Sequence, residues 1–367
     1  MTKRIALLLD GTWDDPESDS NIFKFSQLIG QSPSQQIHYV KGIGTHPGHT
    51  FWNKLINAIE GGTGTSVSHK ILRSYRYICQ NYQPGDQLFI FGFSRGSFEA
   101  RSLVGLISYC GLISAVADQE KFHQLTQRAF HYYQIQQNSH YRQEAEQFIQ
   151  QNCITPIPIE FLGVFDTVGA LGIPIEQDQT LLEKFMHQLD HNLLQFFDTK
   201  LSDNVHYAYQ ALAIDEHRYA FLPTLWNNCP TNTQMEQVWF AGCHCNIGGG
   251  YPGNHLSDEA LAWMYLKAQK VGLEFSSPYH AAINAYADPI ENSYETFVRQ
   301  YGAEIAGKPV TRQILDPQYP NQWLHVSVLH RLDDTALEYS PQNTLVAEGQ
   351  PLKDISHADL QKYILTN

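Results

Sequence analysis

The stretch Gln87-Leu88-Phe89-Ile90-Phe91-Gly92-Phe93-Ser94-Arg95-Gly96-Ser97 decides the fold. Gln87 to Phe93 is an almost continuous apolar run, the pattern of a strand covered on both faces. Gly92-Phe93-Ser94-Arg95-Gly96 then has the Gly-X-Ser-X-Gly spacing of a nucleophile elbow, and a helix is expected behind it from Ser97 to Ile113. The spacing has a physical reason. A serine on a sharp strand-to-helix turn leaves room only for small residues two places either side. Its Oγ stands clear above the sheet, and the helix N-terminus aims N–H groups at developing negative charge. Five residues alone are a weak signal, because a capping serine in a glycine-rich turn looks the same. The strand before and the helix after favour the nucleophile.

The rest of the chain repeats this rhythm. Arg4 to Leu9, Ile37 to Val40, Ile157 to Phe165 and Met235 to Cys243 read as strands, and Trp323 to Leu329 as one more. Ser66 to Tyr82 and Ser257 to Val271 read as helices. Strands alternating with helices, and apolar throughout, indicate an α/β fold with a mostly parallel central sheet and helices on both faces. One domain over 1–367 is expected, with helical insertions at 118–151 and 173–203 and a C-terminal extension, 276–367, packed on the core. The second insertion carries an apolar stripe at Leu182, Phe185, Met186, Leu189, Leu193 and Phe197, which suits either a core helix or a lid over the site.

A serine hydroxyl needs a histidine to take its proton and an acid to orient that histidine. In the order Ser, acid, His, the acid belongs just past a later strand. Asp166 follows Phe161 to Phe165 and precedes Thr167-Val168-Gly169, although an Asx-type turn would use the same residue. Among 17 histidines, His244 follows a strand and precedes the glycine-rich Gly248-Gly249-Gly250. His206, His217 and His325 are less well placed. The catalytic candidates are therefore Ser94, Asp166 and His244. Asp10-Gly11-Thr12 has the tail of a phosphatase motif, but Leu8 stands where that motif needs its nucleophilic aspartate. The loop suits an oxyanion site instead, with Gly11, Thr12 and Arg95 as candidates. Cys243-His244-Cys245 is a poor metal site, since no second Cys/His cluster supplies further ligands. No metal or cofactor is expected.

The chain has 367 residues, 43% of them apolar, enough for a substantial core. Lys+Arg 24 against Asp+Glu 37 gives a net charge of −13. That argues against nucleic acid and anionic lipid as partners, since both demand a cationic face. Six cysteines in a chain this long are no disulfide framework, so a reduced compartment is expected. The N-terminal apolar run, Ile5 to Leu9, is too short for a signal peptide. Ser102 to Ala117, uncharged but broken by serines and glycines, is too short to span a membrane.

Leu8-Leu9-Asp10-Gly11-Thr12-Trp13, Gly42-Ile43-Gly44-Thr45, Phe91 to Gly96, Phe165-Asp166-Thr167-Val168-Gly169, Ile214-Asp215-Glu216-His217-Arg218 and Trp239 through Gly250 occur in that order. Together they resemble the uncharacterised α/β-hydrolase domain family (DUF2235-type) that includes type VI secretion phospholipase effectors. Ser327 to Arg331 resembles a further family segment. The resemblance implies an α/β-hydrolase-like fold and a Ser94–Asp166–His244 serine hydrolase. Its substrate would be a carboxylic ester of a lipid, cut as by a phospholipase A or lipase at a membrane surface. The protein would be cytoplasmic in the producing cell and delivered by a specialised secretion system. Relatives often have Ser-Asp after the histidine, where this chain has Cys245-Asn246. A non-lipid esterase and a catalytically silent interaction module are the alternatives on the same fold.

Overall fold

The computed structural model describes residues 2–11, 19–42, 64–114, 116–168 and 200–365. Seven strands form one sheet: β1 (Arg4–Leu9), β2 (Gln35–Val40), β3 (Gln87–Phe93), β4 (Ile159–Phe165), β5 (Val205–Ala213), β6 (Gln234–Phe240) and β7 (Gln322–Leu324). Their spatial order is β2-β1-β3-β4-β5-β6-β7, and every neighbouring pair is parallel. The strand order reverses direction between β1 and β3, and the crevice outside the carboxyl ends at such a reversal is where α/β sheets place their sites. With the strand-to-helix serine turn after β3, this is the expected α/β-hydrolase-like architecture.

Helices cover both faces. The strand period of two sorts the side chains. Leu7, Leu9, Ile90 and Leu162 face one way, into a core with Tyr75 and Ile78 of α2 (Gly64–Asn81) and Leu103 and Ile107 of α3 (Arg95–Cys110). Ala6, Leu8, Phe89, Phe91 and Phe161 face the other way. They meet Phe25 of α1 (Asn21–Leu28) and Leu261 and Met264 of the helix Leu256–Lys270. Between α3 and β4, α4 (Gln119–Gln134) and α5 (Arg142–Asn152) bury Phe122, Phe130, Tyr133 and Phe148 in the first core. The stripe from Leu182 to Phe197 lies outside the described residues. A third core joins Leu212 and Trp239 to Leu324, Val328, Leu345 and Leu360 of the C-terminal segment. No helix among the described residues is long and apolar enough to cross a membrane.

β5 has no counterpart among the expected strands, because His206 and Gln210 interrupt its apolar pattern. Two expected strands need correction. The expected strand Trp323 to Leu329 stops at Leu324, and Val326–Asp333 is a helix started by His325, whose ring accepts from the Ser327 N–H. The strand expected over Met235 to Cys243 ends at Phe240.

Register positions the site. Phe93 pairs with Phe165, so the residues that follow them, Ser94 and Asp166, emerge side by side at the carboxyl edge. Ala213 pairs with Phe240, which brings the turn after β6 to the same edge. Below it, buried polar groups lock β5 to β6. Gln237 is fully buried. Its Oε1 accepts from the Trp226 N–H (2.8 Å) and from Gln210 Nε2 (3.2 Å), and its Nε2 donates to the Trp226 (3.1 Å) and Pro320 (3.0 Å) carbonyls. Gln237→Leu removes one amide but orphans several buried partners. It should lower the unfolding free energy by about 3 kcal/mol in urea denaturation despite the gain in hydrophobicity. Unchanged stability would mean that these bonds do not hold β5 and β6 together.

Candidate active site

Ser94 sits at φ 58°, ψ −122°, a conformation that costs about 1–3 kcal/mol for a residue with a side chain. The flanking glycines make the turn possible. A Cβ on Gly92 would lie 2.5 Å from the Gly96 carbonyl oxygen, and one on Gly96 would lie 2.2 Å from the Leu9 oxygen and 2.7 Å from the Asp10 oxygen. The turn is pinned to β4, since the Ser94 N–H and the Ser97 hydroxyl both donate to the Phe165 carbonyl at 3.0 Å. The start of α3 is thus pressed onto the ends of β1 and β4.

The three catalytic candidates come together. His244 Nε2 lies 2.8 Å from Ser94 Oγ, and His244 Nδ1 lies 2.6 Å from Asp166 Oδ2. His244 is the first residue of a short helix, His244–Gly248, begun by Cys243. Its ring is held between Phe93 (centroids 4.7 Å apart) and Phe221 (5.0 Å, edge-on). Burial pushes the His244 imidazole below its usual 6.5, and the hydrogen bond to Asp166 only partly offsets this. The ring is therefore neutral near pH 7, as a proton acceptor must be.

Asp166 is fully buried at φ 38°. Burial pushes its carboxyl up, but the Arg312 guanidinium and His244 outweigh that and hold it below the usual carboxylate range. Glu216, also buried, lies behind the histidine. Its Oε2 accepts the His244 N–H (3.2 Å), and Arg218 grips both of its oxygens at 2.8 Å. Burial pushes Glu216 up, yet Arg218 reverses the direction and holds it far below the ordinary range. Arg218 also lies 3.5 Å over the Phe221 ring, so one ion pair steadies the backbone of His244 and the wall beside it.

The oxyanion candidates separate. The Gly11 N–H donates to its own neighbour, Asp10 Oδ1, at 2.9 Å. Thr12 lies outside the described residues. Arg95 follows Ser94 as the first residue of α3. Asp10 itself is buried and accepts from Ser20 Oγ and Tyr39 Oη, both 2.6 Å, at Oδ2; burial pushes its carboxyl up. Cys243 is a packing residue whose thiol donates to Asn246 Oδ1 (3.2 Å). Asn246 Oδ1 also accepts the N–H groups of Cys243 (3.1 Å) and Glu291 (3.3 Å). Among the described residues, no cluster of three or more His, Cys, Asp or Glu could hold a metal ion. His217 and His325 serve elsewhere, against the Val310 carbonyl and at a helix start.

Arg312 and Glu216 were not among the sequence candidates. Glu216 stood inside a quoted motif without a role, and the Glu-X-Arg pattern of that motif was its only signal. Arg312, 146 residues from Asp166, had none.

Residues 3–267 match the family model described as type VI secretion system (T6SS), phospholipase effector Tle1-like, catalytic domain. The uncharacterised protein YEL023C of Saccharomyces cerevisiae is 27% identical over 213 residues, 50% of this chain and 30% of that protein. Among solved structures, an uncharacterised protein from Pseudomonas aeruginosa is 19% identical with a TM-score of 0.41, over 76% of this chain and 47% of that one. The Tle1 effector bound to the VgrG spike of the type 6 secretion system is 18% identical with a TM-score of 0.35, over 70% and 53%. A thermophilic esterase from Thermogutta terrifontis is 10% identical with a TM-score of 0.34, over 76% and 86%. The chain thus spans less than a third of its curated relative and about half of the first two structures.

The close approach at the elbow gives a direct test. Gly96→Ala should cost about 2–4 kcal/mol of stability, because the obstructing atoms are backbone carbonyls that cannot rotate away. Gly253→Ala, at φ +72° with nothing within 4 Å of the new Cβ, should cost about 1 kcal/mol from backbone strain alone. Thermal melts of the two variants compare them directly, and equal losses would contradict the packing of α3 on β1.

Proposed function

The chain belongs to the Tle1-like phospholipase effector family, and on that premise we propose that it is a serine hydrolase cleaving carboxylic esters of lipids, with phospholipase A or lipase specificity. The observation that carries the mechanism is the continuous hydrogen-bonded line from Ser94 Oγ through His244 to Asp166, 2.8 and 2.6 Å at its two links. The family supplies the lipid.

Ser94 Oγ attacks the ester carbonyl carbon while His244 Nε2 takes its proton. Asp166 accepts the Nδ1–H, fixes the tautomer and stabilises the imidazolium without taking its proton. The tetrahedral oxygen is received by the N–H of Arg95, at the start of α3. His244 then protonates the departing alcohol, which leaves the acyl group on Ser94. Water, deprotonated by His244, releases the fatty acid and regenerates the serine. Delivery to a lipid surface by a type VI secretion system is the setting the family suggests.

Ser94→Ala should abolish ester hydrolysis and leave the fold intact, since alanine occupies the same turn. Asp166→Asn and His244→Ala should each slow the reaction by about 10³-fold or more, and the double variant should be little worse than the slower single, because the three act as one unit. Rates on short-chain esters and on phospholipid vesicles check this. Losses that multiply would separate the residues into independent roles, and binding without hydrolysis of any ester would favour an interaction module.

The pH dependence follows from the direction of the His244 shift. Only the neutral ring can accept the serine proton. The lowered position in the folded protein keeps it neutral to below pH 6.5. The acid limb of kcat/KM should therefore have its midpoint below 6.5. A midpoint above that value would mean that the histidine is more exposed, or more strongly paired as a cation, than its position here allows.

A further inference from the structure

Arg312 is 2% exposed and lies outside the 3–267 match. Its Nη1 donates to Asp166 Oδ1 at 2.6 Å and its Nη2 to Oδ2 at 3.0 Å. The same two nitrogens reach the Ala213 carbonyl at the end of β5 (2.8 Å) and the Phe221 carbonyl beside the His244 ring. Its own carbonyl is held by Asn343, which also ties down the Ile214 carbonyl. A planar fork with fixed donors thus meets the acid, the strand beside it and the wall of the histidine at once.

We propose that Arg312 is a positioning residue of the Ser94–His244–Asp166 site, fixing the Asp166 carboxylate, the end of β5 and the Phe221 wall in one frame. This rests on the serine-hydrolase reading above. Two effects follow. The guanidinium keeps Asp166 ionised while His244 is neutral, so that Asp166 accepts the Nδ1–H in a single orientation. It also opposes the addition of a proton to the Asp166–His244 pair, whichever member holds it. The other charged groups acting on His244 are Arg218 and Glu216, whose charges are opposite and mutually bonded, and the hydroxyl of Ser94 meets its Nε2. Removing Arg312 therefore leaves the pair easier to protonate, and the base becomes active only at higher pH.

The test uses a fluorophosphonate, which forms an Oγ–P bond at Ser94 with loss of fluoride and requires the same proton transfer to His244. Its labelling rate is measured against pH for the wild type, Arg312→Met and Arg312→Lys, with Ser94→Ala as the blank and circular dichroism melts for folding. In Arg312→Met the acid midpoint should rise by about one unit, with the plateau rate lowered about 10-fold or more. Arg312→Lys keeps the charge but loses the fork, so its midpoint should stay and its plateau fall about 10-fold. A folded Arg312→Met with the wild-type midpoint overturns the proposal, whatever its plateau, because a purely structural residue would change the amount of active protein and not its titration. If Arg312→Met does not fold, Arg312→Lys decides, and a wild-type plateau there overturns it. A wild type that is not labelled at Ser94 refutes the hydrolase reading itself and is recognised before either variant is compared.

Discussion

A negative charge is kept at Asp166, whose side chain is fully buried. An isolated buried carboxylate would take up a proton, because desolvation disfavours the charged form. Asp166 avoids this with donors from separate parts of the chain: the Arg312 fork, the Ala213 N–H at 3.0 Å, and His244. Each donor requires another element to be in place. Ala213 requires β5 beside β4, His244 requires the turn after β6, and Arg312 requires the C-terminal segment folded back on the sheet edge. Removing one partner from such a cluster costs far more than the assembled cluster contributes to net stability. Its contribution is therefore to specify one arrangement of the carboxyl edge.

The sheet supplies the rigid frame for that arrangement. Parallel strands end together, and the pairing of Phe93 with Phe165 and of Ala213 with Phe240 brings the serine, the acid and the turn that leads to His244 to one edge. The backbone there is strained at Ser94 and Asp166, the two residues at positive φ that follow β3 and β4. Hydrogen bonds below the edge and the close approach of Gly96 to β1 hold that strain in place. Glu216 and Arg218 do for the histidine what Arg312 does for the acid.

The features legible in the sequence were those set by neighbouring residues. The apolar run of β3, the glycines around Ser94 and the position of Asp166 and His244 just past apolar strands are local patterns, and each reflects a local steric or burial requirement. β5 escaped because its buried Gln210 reads as a surface residue, although it is paired with Thr167 (2.5 Å) and Gln237 (3.2 Å). The helix at Val326 was taken into the strand before it because Trp323 to Leu329 is apolar enough for either. Arg312 escaped for a different reason. Nothing within several residues of it marks an arginine that will be buried, and its partner is defined only once the sheet has formed. Gly11 was a candidate oxyanion donor from its place after β1, but its N–H is given to Asp10 Oδ1.

The measurement that tests the central claim most directly is product analysis after incubation with vesicles of mixed phosphatidylcholine and phosphatidylethanolamine, in buffer containing methanol. Attack by Ser94 on a carboxylic ester, followed by release of the acyl group to water or to the added alcohol, predicts lysophospholipid together with free fatty acid and fatty acid methyl ester, all absent with Ser94→Ala. Diacylglycerol or phosphatidic acid as the main product would mean cleavage at the phosphodiester, and intact phospholipid would mean that phospholipid esters are not the substrate; either result would contradict the account.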